Sequence, residues 1–239
     1  MQFKLIDKIE ESPNTFSYFF ESDTKFNFKA GQFVYLTLPK LNYPDERGAT
    51  RHFTISSSPT EENIRITTRI RQESGYKKTL NALPMGSTLE AKGPHGSFVL
   101  TDHDALITNH LFLAGGIGIT PFRSMIKYNI DKNLKLPMYL IYSNSDDGFV
   151  FKKELNIWQK ENDFIKIYYH NSQILGHIDS FKINELIKKI KLEISNPQSG
   201  KNCVFWLVGP NKFVNASEEM LSEMNINVES IKTEKFTGY

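Results

Sequence analysis

The chain has a single cysteine, Cys203. An internal disulfide is therefore impossible, and so is an iron–sulfur cluster held by four cysteines of this chain. Histidine is sparse too: the six present are scattered without metal-site spacing, so no metal is expected. No apolar run approaches the length of a membrane span, and the opening MQFKLIDKIE has no signal-peptide pattern. The expectation is a cytoplasmic protein without a membrane span. Charge of one sign is lacking as well: 29 Lys and Arg against 27 Asp and Glu leave a net charge of +2. That argues against nucleic acid or another strong polyanion as partner. Neither an internal repeat nor a low-complexity tract is present. What remains is the composition of a folded globular protein, 39% hydrophobic and 23% charged over 239 residues. On a prior of roughly 150 residues per domain, that length suits two domains.

The most informative stretch is Leu111–Met125, LFLAGGIGITPFRSM. Leu111–Ala114 is wholly apolar, as expected of a strand buried on both faces. Gly115, Gly116 and Gly118 follow, and glycine lets a second backbone or a phosphate come close. Thr120 and Pro121 read as N-cap and first residue of a helix. Phe122, Met125 and Ile126 give that helix an apolar face. A strand, a glycine turn and a helix start together present free N–H groups to a diphosphate. This is not the GxGxxG fingerprint, because Pro121 stands where the third glycine should be. Taken alone, the stretch equally fits a structural βα connection.

Residues up to about Thr101 carry short alternating segments: Phe16, Tyr18, Phe20; Val34, Leu36, Leu38; Ile64, Ile66, the less apolar Thr68, then Ile70. Turn signals separate them, among them Ser12-Pro13-Asn14, Ala30-Gly31, Ser58-Pro59 and Gly93-Pro94. This pattern predicts a small antiparallel barrel or sandwich. Leu41–Gly48, LNYPDERG, reads as a polar surface loop. In the strand Arg51–Ile55, Arg51, Phe53 and Ile55 share one face, and His52 and Thr54 the other. An arginine beside an aromatic fits an anionic, planar ligand, and a Thr54 hydroxyl can donate to a ring nitrogen. An ordinary barrel strand fits the same residues. Ser74 and Gly75 can open a short helix with Lys77, Lys78 and Thr79 in its first turns. Lysines there oppose the helix dipole unless an anion compensates them.

After Asp102-His103-Asp104 strands alternate with helices. Met138–Tyr142, Phe164–Tyr169 and Val204–Val208 read as strands. Helices are marked by Phe151, Leu155 and Trp158, by Ile183, Leu186, Ile187 and Ile190, and by Phe213, Met220, Leu221 and Met224. Such alternation argues for a parallel sheet covered on both faces, with ligands beyond the strands' carboxyl ends. The turns after Ala114, Tyr142 and Val208 all lie at such ends.

In chain order, RHFT, ESGYKKTL, Gly93-Pro94-His95-Gly96-Ser97-Phe98, AGGIGITP, WLVGPNKFV and EKFTGY resemble six motifs of the ferredoxin–NADP(H) reductase-like flavoproteins. The resemblance spans nearly the whole chain. It implies an antiparallel six-stranded β-barrel that binds FAD, residues 1–103. A Rossmann-like parallel-sheet domain for NADH or NADPH would follow, residues 104–239, its tail returning to the flavin. Arg51 would bind the FAD pyrophosphate, Phe53 would pack on the isoalloxazine or ribityl chain, and Thr54 would approach flavin N5 as the catalytic residue. Lys77, Lys78 and Thr79 would hold the pyrophosphate, partly through backbone amides. Gly115, Gly116, Gly118, Thr120 and Pro121 would carry the nicotinamide nucleotide's diphosphate. Gly209 and Pro210 would lie beside the nicotinamide, and Phe236 would cover the flavin. The implied activity is hydride transfer from NAD(P)H to FAD, then electron transfer to a ferredoxin, a flavodoxin or an oxygenase component. An electron-transfer subunit of a larger enzyme and a non-enzymatic sensor module are the competing readings. Phe53 stands where many relatives have Tyr, and Val208 where many have Cys; Cys203, five residues earlier, cannot substitute. The turn after the second strand offers Ser143, Ser145, Asp146 and Asp147 but no arginine, which tilts the coenzyme toward NADH. Lys152 and Lys153, close by in sequence, tilt it back.

Overall fold

The computed structural model describes residues 1–100, 109–189 and 203–236, with side chains in the fifth helix described through Glu185. The expected domain boundary at 103/104, the helix positions Leu186, Ile187 and Ile190, and the tail residues Thr237–Tyr239 lie outside the described residues or side chains. Two compact units are present: Met1–Leu100 with Thr120–Tyr128, and Thr101–Ile119 with Asn129–Tyr239.

The first unit is built on six antiparallel strands: β1 (Gln2–Ser12), β2 (Thr15–Ser22), β3 (Phe33–Thr37), β4 (Thr50–Thr54), β5 (Ile64–Arg69) and, after helix α1 (Gly75–Ala82), β6 (Thr88–His95). Their order is β4-β3-β6-β1-β2-β5, and a bridge between Ile55 and Ile66 joins the two ends into the barrel. The alternation in the sequence sets which side faces inward. Phe3, Leu5, Tyr18, Phe20, Val34, Leu36, Ile64, Ile66 and Leu89 form one buried cluster, joined by Tyr76 and Leu80 of α1. At about 1.5–3 kcal/mol for each large apolar side chain buried, this cluster dominates the unit's stability. On β5 the opposite face is buried but polar. Arg65 donates through Nε to Ser17 Oγ (2.9 Å) and pairs with Glu11, while Thr67 bonds both Ser17 and Ser56. Burying these groups is tolerable because each finds a partner.

The second unit is a five-stranded parallel sheet of order β11-β10-β7-β8-β9. Its elements are β7 (Asn109–Gly115), α2 (Ile119–Asp131, shared between the units), β8 (Met138–Asn144), α3 (Lys152–Glu161), β9 (Ile165–Asn171), α4 (Ser172–Leu175), α5 (Ser180–Lys189), β10 (Cys203–Pro210), α6 (Asn211–Glu223) and β11 (Ile231–Phe236). β7 and β10 are buried over nearly their whole length, as their apolar runs predict for central strands. Leu111, Leu113, Ile141, Phe205 and Leu207 pack with Val214 and Leu221 of α6.

One local expectation is corrected. Thr120 is not an N-cap: a 3-10 turn, Gly116–Gly118, runs straight into α2 at Ile119, so Thr120 and Pro121 lie in the first helical turn. Proline is tolerated there because first-turn N–H groups have no intrahelical acceptor. The tail is a strand at its start, since β11 pairs in parallel with β10, placing Phe236 opposite Pro210.

Candidate functional site

Strand β4 puts Arg51 and Phe53 on its buried side and His52 outside, as the alternation predicts. His52 packs in the open against Phe33 (5.5 Å) and Tyr35 (5.9 Å). Thr54 ends the strand and is also buried, at 7% exposure. Its hydroxyl makes no hydrogen bond among the described residues, so it is available to a ligand. Phe53 lies 5.8 Å from the Tyr76 ring.

Arg51 is held on several sides. Its Nη1 donates to the carbonyls of Arg47 (2.9 Å), Gly48 (3.0 Å) and Thr50 (2.7 Å), and its Nη2 pairs with Asp45. Guanidinium has five N–H donors. The Nε–H and the second Nη2–H therefore have no partner among the described residues. The guanidinium carbon sits 5.2 Å over the Tyr76 ring.

Helix α1 begins beside it. The Ser74 Oγ caps the helix by accepting from Lys77 N (3.2 Å), and Asp45 Oδ2 accepts from Tyr76 N (2.9 Å). The first-turn amides foreseen for a pyrophosphate are thus largely engaged by the chain itself. The Thr79 hydroxyl is also engaged: it is fully buried, donates to Gly75 O (2.8 Å) and accepts from Asn42 N and Tyr43 N. Lys78 Nζ lies 5.1 Å over the Tyr43 ring. Lys77 has a different setting. Burial, with the neighbouring charges of Arg71, Arg47 and Arg51, pushes its ammonium down to about 8. Positive charge is in excess around this point, and a bound anion would relieve it. The open donors of Arg51, the crowded cations and the unengaged Thr54 hydroxyl all suit a flavin with a diphosphate.

In the sheet unit the three loop glycines do different things. A Cβ on Gly115 would fall 2.7 Å from the Phe213 ring, and one on Gly118 would overlap the Val208 carbonyl. Gly116 has φ +55° and open space beside it, with Asn144 Oδ1 at 3.8 Å from an added Cβ. Gly115 and Gly118 thus let β7 and its loop close on β10, and Gly116 makes the turn. Gly209 packs against Phe213 and Gly115, with Pro210 leading into α6. Cys203 pairs with Asn109 at the start of β10, whereas Val208 pairs with Ala114 near the glycine loop. Burial pushes the Cys203 thiol up to about 12, so it is inert at neutral pH. Beyond β8, the Asp146 carboxylate is engaged by Asn144 and Gly148 N, while Lys152 lies 5.3 Å over both Phe149 and Tyr169.

Strand β11 adds a group that the sequence pattern does not single out. Glu234, opposite Val208 on β11, has a buried Oε2 without a hydrogen-bond partner among the described residues. Burial pushes its carboxyl up to about 7. An acidic residue next but one to Phe236 in the tail was the available signal. The folded state holds this proton more tightly than the unfolded chain. Its contribution is complete below the ordinary carboxylate value and is lost as pH rises through about 7. Glu234→Gln should remove about 1–3 kcal/mol of this pH-dependent loss. Denaturant melts at several pH values read it; an unchanged pH slope in the variant would refute the assignment.

The halves of the chain match two domain families. Residues 2–100 match the oxidoreductase FAD-binding domain and residues 112–219 the oxidoreductase NAD-binding domain. The fold and these matches define an FAD- and NAD-binding oxidoreductase. The chain belongs to these two oxidoreductase domain families, and its fold is that of the ferredoxin–NADP(H) reductases. It is 28% identical to flavohemoprotein A of Dictyostelium discoideum over 96% of its own length and 58% of that protein's. It is 32% identical to the glycine betaine monooxygenase reductase subunit of Chromohalobacter salexigens over 63% of its own length and 40% of that protein's. The chain thus spans about half the length of these relatives. Its fold resembles ferredoxin-NADP+ reductase from Plasmodium falciparum, with a TM-score of 0.78, 24% identity, and coverage of 98% of this chain and 95% of that one.

Proposed function

We propose that the chain is an NAD(P)H-dependent flavoprotein reductase, with FAD held by residues 1–103 and the nicotinamide nucleotide by residues 104–239. The observation that carries this reading is the pinned Arg51 with two open donors among an excess of cations, inside a domain of an FAD-binding family. When bound, FAD supplies the redox chemistry: it takes a hydride from reduced nicotinamide and releases electrons singly. The chain supplies positions. Arg51 gives the flavin diphosphate its charge-assisted hydrogen bonds, and Lys77 adds charge. Lys78 and Thr79 hold the loop against α1, so their part in phosphate binding is indirect. Phe53 packs on the flavin, and the Thr54 hydroxyl donates toward its N5. Gly115, Gly116 and Gly118, with Thr120 and Pro121 in the first turn of α2, hold the nucleotide diphosphate. Gly209 and Pro210 border the nicotinamide, and Phe236 shields the flavin ring.

The electrons go to an acceptor other than a four-cysteine cluster of this chain, which its one cysteine cannot supply. The reductase-subunit relative favours an oxygenase component as that acceptor. The coenzyme is NADH: the turn after β8 carries no arginine, and Lys152 is engaged by two rings. The test is to identify the flavin released from pure protein, then to compare its anaerobic reduction by NADH and NADPH. FAD reduced faster by NADH is expected. A clear NADPH preference would overturn the coenzyme assignment, and absence of flavin would overturn the whole.

A further inference from the structure

We propose that Asp45 is a positioning residue for the flavin-diphosphate site: it ties the Arg51 guanidinium to the start of α1 and so keeps the open edge of Arg51 in place for the anion. The proposal rests on the diphosphate reading of Arg51 given above.

Asp45 stands in a loop whose neighbours are mostly exposed, yet its side chain is only 7% exposed. Both carboxylate oxygens are engaged. Oδ1 pairs with Arg51 Nη2 and accepts from Arg47 N (3.1 Å); Oδ2 accepts from Tyr76 N (2.9 Å) and from Ser74 Oγ (3.3 Å). Burial alone would raise its carboxyl. The N–H groups of Tyr76 and Arg47, the Arg51 charge and the Ser74 hydroxyl outweigh burial and hold it below the ordinary range. Asp45 is therefore ionised at neutral pH, and one carboxylate bridges β4 to α1.

The loop that carries it is fastened independently. Thr79 Oγ1 accepts from Asn42 N (3.1 Å) and Tyr43 N (3.3 Å), and a Cβ on Gly75 would overlap the Pro44 carbonyl. The carboxylate is thus delivered by a fixed backbone. An arginine side chain left to itself samples many rotamers, and ordering it on ligand binding costs affinity. Here Asp45 and the three carbonyls have fixed it beforehand. The donors they use leave Nε–H and one Nη2–H over for a diphosphate.

The test titrates apoprotein with FAD and with riboflavin, which lacks phosphate, following flavin fluorescence. Wild type, Asp45→Asn, Arg51→Ala and the double variant are compared. In Asp45→Asn, FAD affinity should fall about tenfold or more, while riboflavin affinity stays within about twofold. In the Arg51→Ala background, Asp45→Asn should cost FAD affinity nothing further. Equal losses for both flavins would mean a merely structural role and overturn the proposal. Tighter FAD binding would make Asp45 a competitor of the anion and overturn it too, as would a full additional loss in the double variant. If Asp45→Asn does not fold, Asp45→Glu keeps the charge and carries the same comparison. If wild type binds riboflavin and FAD equally, the diphosphate reading itself fails, and the proposal with it.

Discussion

Arg123→Ala is expected to cost about 3 kcal/mol of folding stability, the low end of what breaking a buried ion pair costs. Arg123 is 2% exposed and forms a two-point pair with Glu61, Nη1 to Oε2 at 2.9 Å and Nη2 to Oε1 at 3.0 Å. The same Nη1 donates to Ser56 O at 2.7 Å, and the adjacent Ser124 Oγ donates to Ser57 O at 2.6 Å. Glu61 closes the circuit by accepting from Ser58 N at 2.6 Å. Burial alone would raise the Glu61 carboxyl, but the Arg123 hydrogen bond and charge hold it below its usual range. Removing Arg123 strands that carboxylate and a carbonyl in a poorly hydrated place. Glu61 is 26% exposed on its side chain, which is why the lower figure is expected. A domain stable by about 5–15 kcal/mol loses a large share. Urea denaturation reads the effect directly. Arg123→Ala in a Glu61→Gln background should cost clearly less, because no stranded charge remains. A loss below about 1 kcal/mol in the single variant would show that the pair is mostly solvated.

The second large effect falls on cofactor retention. Arg51→Ala should weaken FAD binding by about 1.5–3 kcal/mol, the range for hydrogen bonds to charged groups. That is a factor of roughly ten to more than a hundred. The same change leaves Asp45 without its cation, so stability falls as well. The two consequences separate by measurement. Flavin content after gel filtration and titration of the apoprotein report the first, and melting of the apoprotein reports the second. Undiminished flavin affinity in a folded variant would count against Arg51 as the phosphate-binding residue.

The architecture was legible because it depends on local pattern. Alternation at Phe16, Tyr18 and Phe20 and the apolar run Leu111–Ala114 each fix an element without reference to distant residues. The glycines after Ala114 were legible as a turn, but not in their separate duties. Only the folded chain puts Phe213 against Gly115 and the Val208 carbonyl against Gly118. The start of α2 was misplaced by the Thr-Pro pair, which usually marks a helix beginning; here the glycine turn was already helical. The sequence places Asp45 in a polar loop, and most of that loop is indeed exposed. The burial of this one carboxylate depends on Arg51 and on Tyr76, the latter 31 positions on. Arg123 met its partner across 62 positions. Pairings at that separation leave no period or spacing in the sequence. Thr79 is a further case: nothing local in its motif shows that its hydroxyl bonds Gly75, Asn42 and Tyr43.

The central claim is that one chain holds a flavin and brings reduced nicotinamide to it. Its most direct test is the visible spectrum of the pure, folded protein, recorded without oxygen before and after NADH is added. The account predicts flavin bands that bleach on mixing and return when air is admitted. A folded protein that binds FAD and keeps its bands unchanged in NADH or NADPH would contradict it.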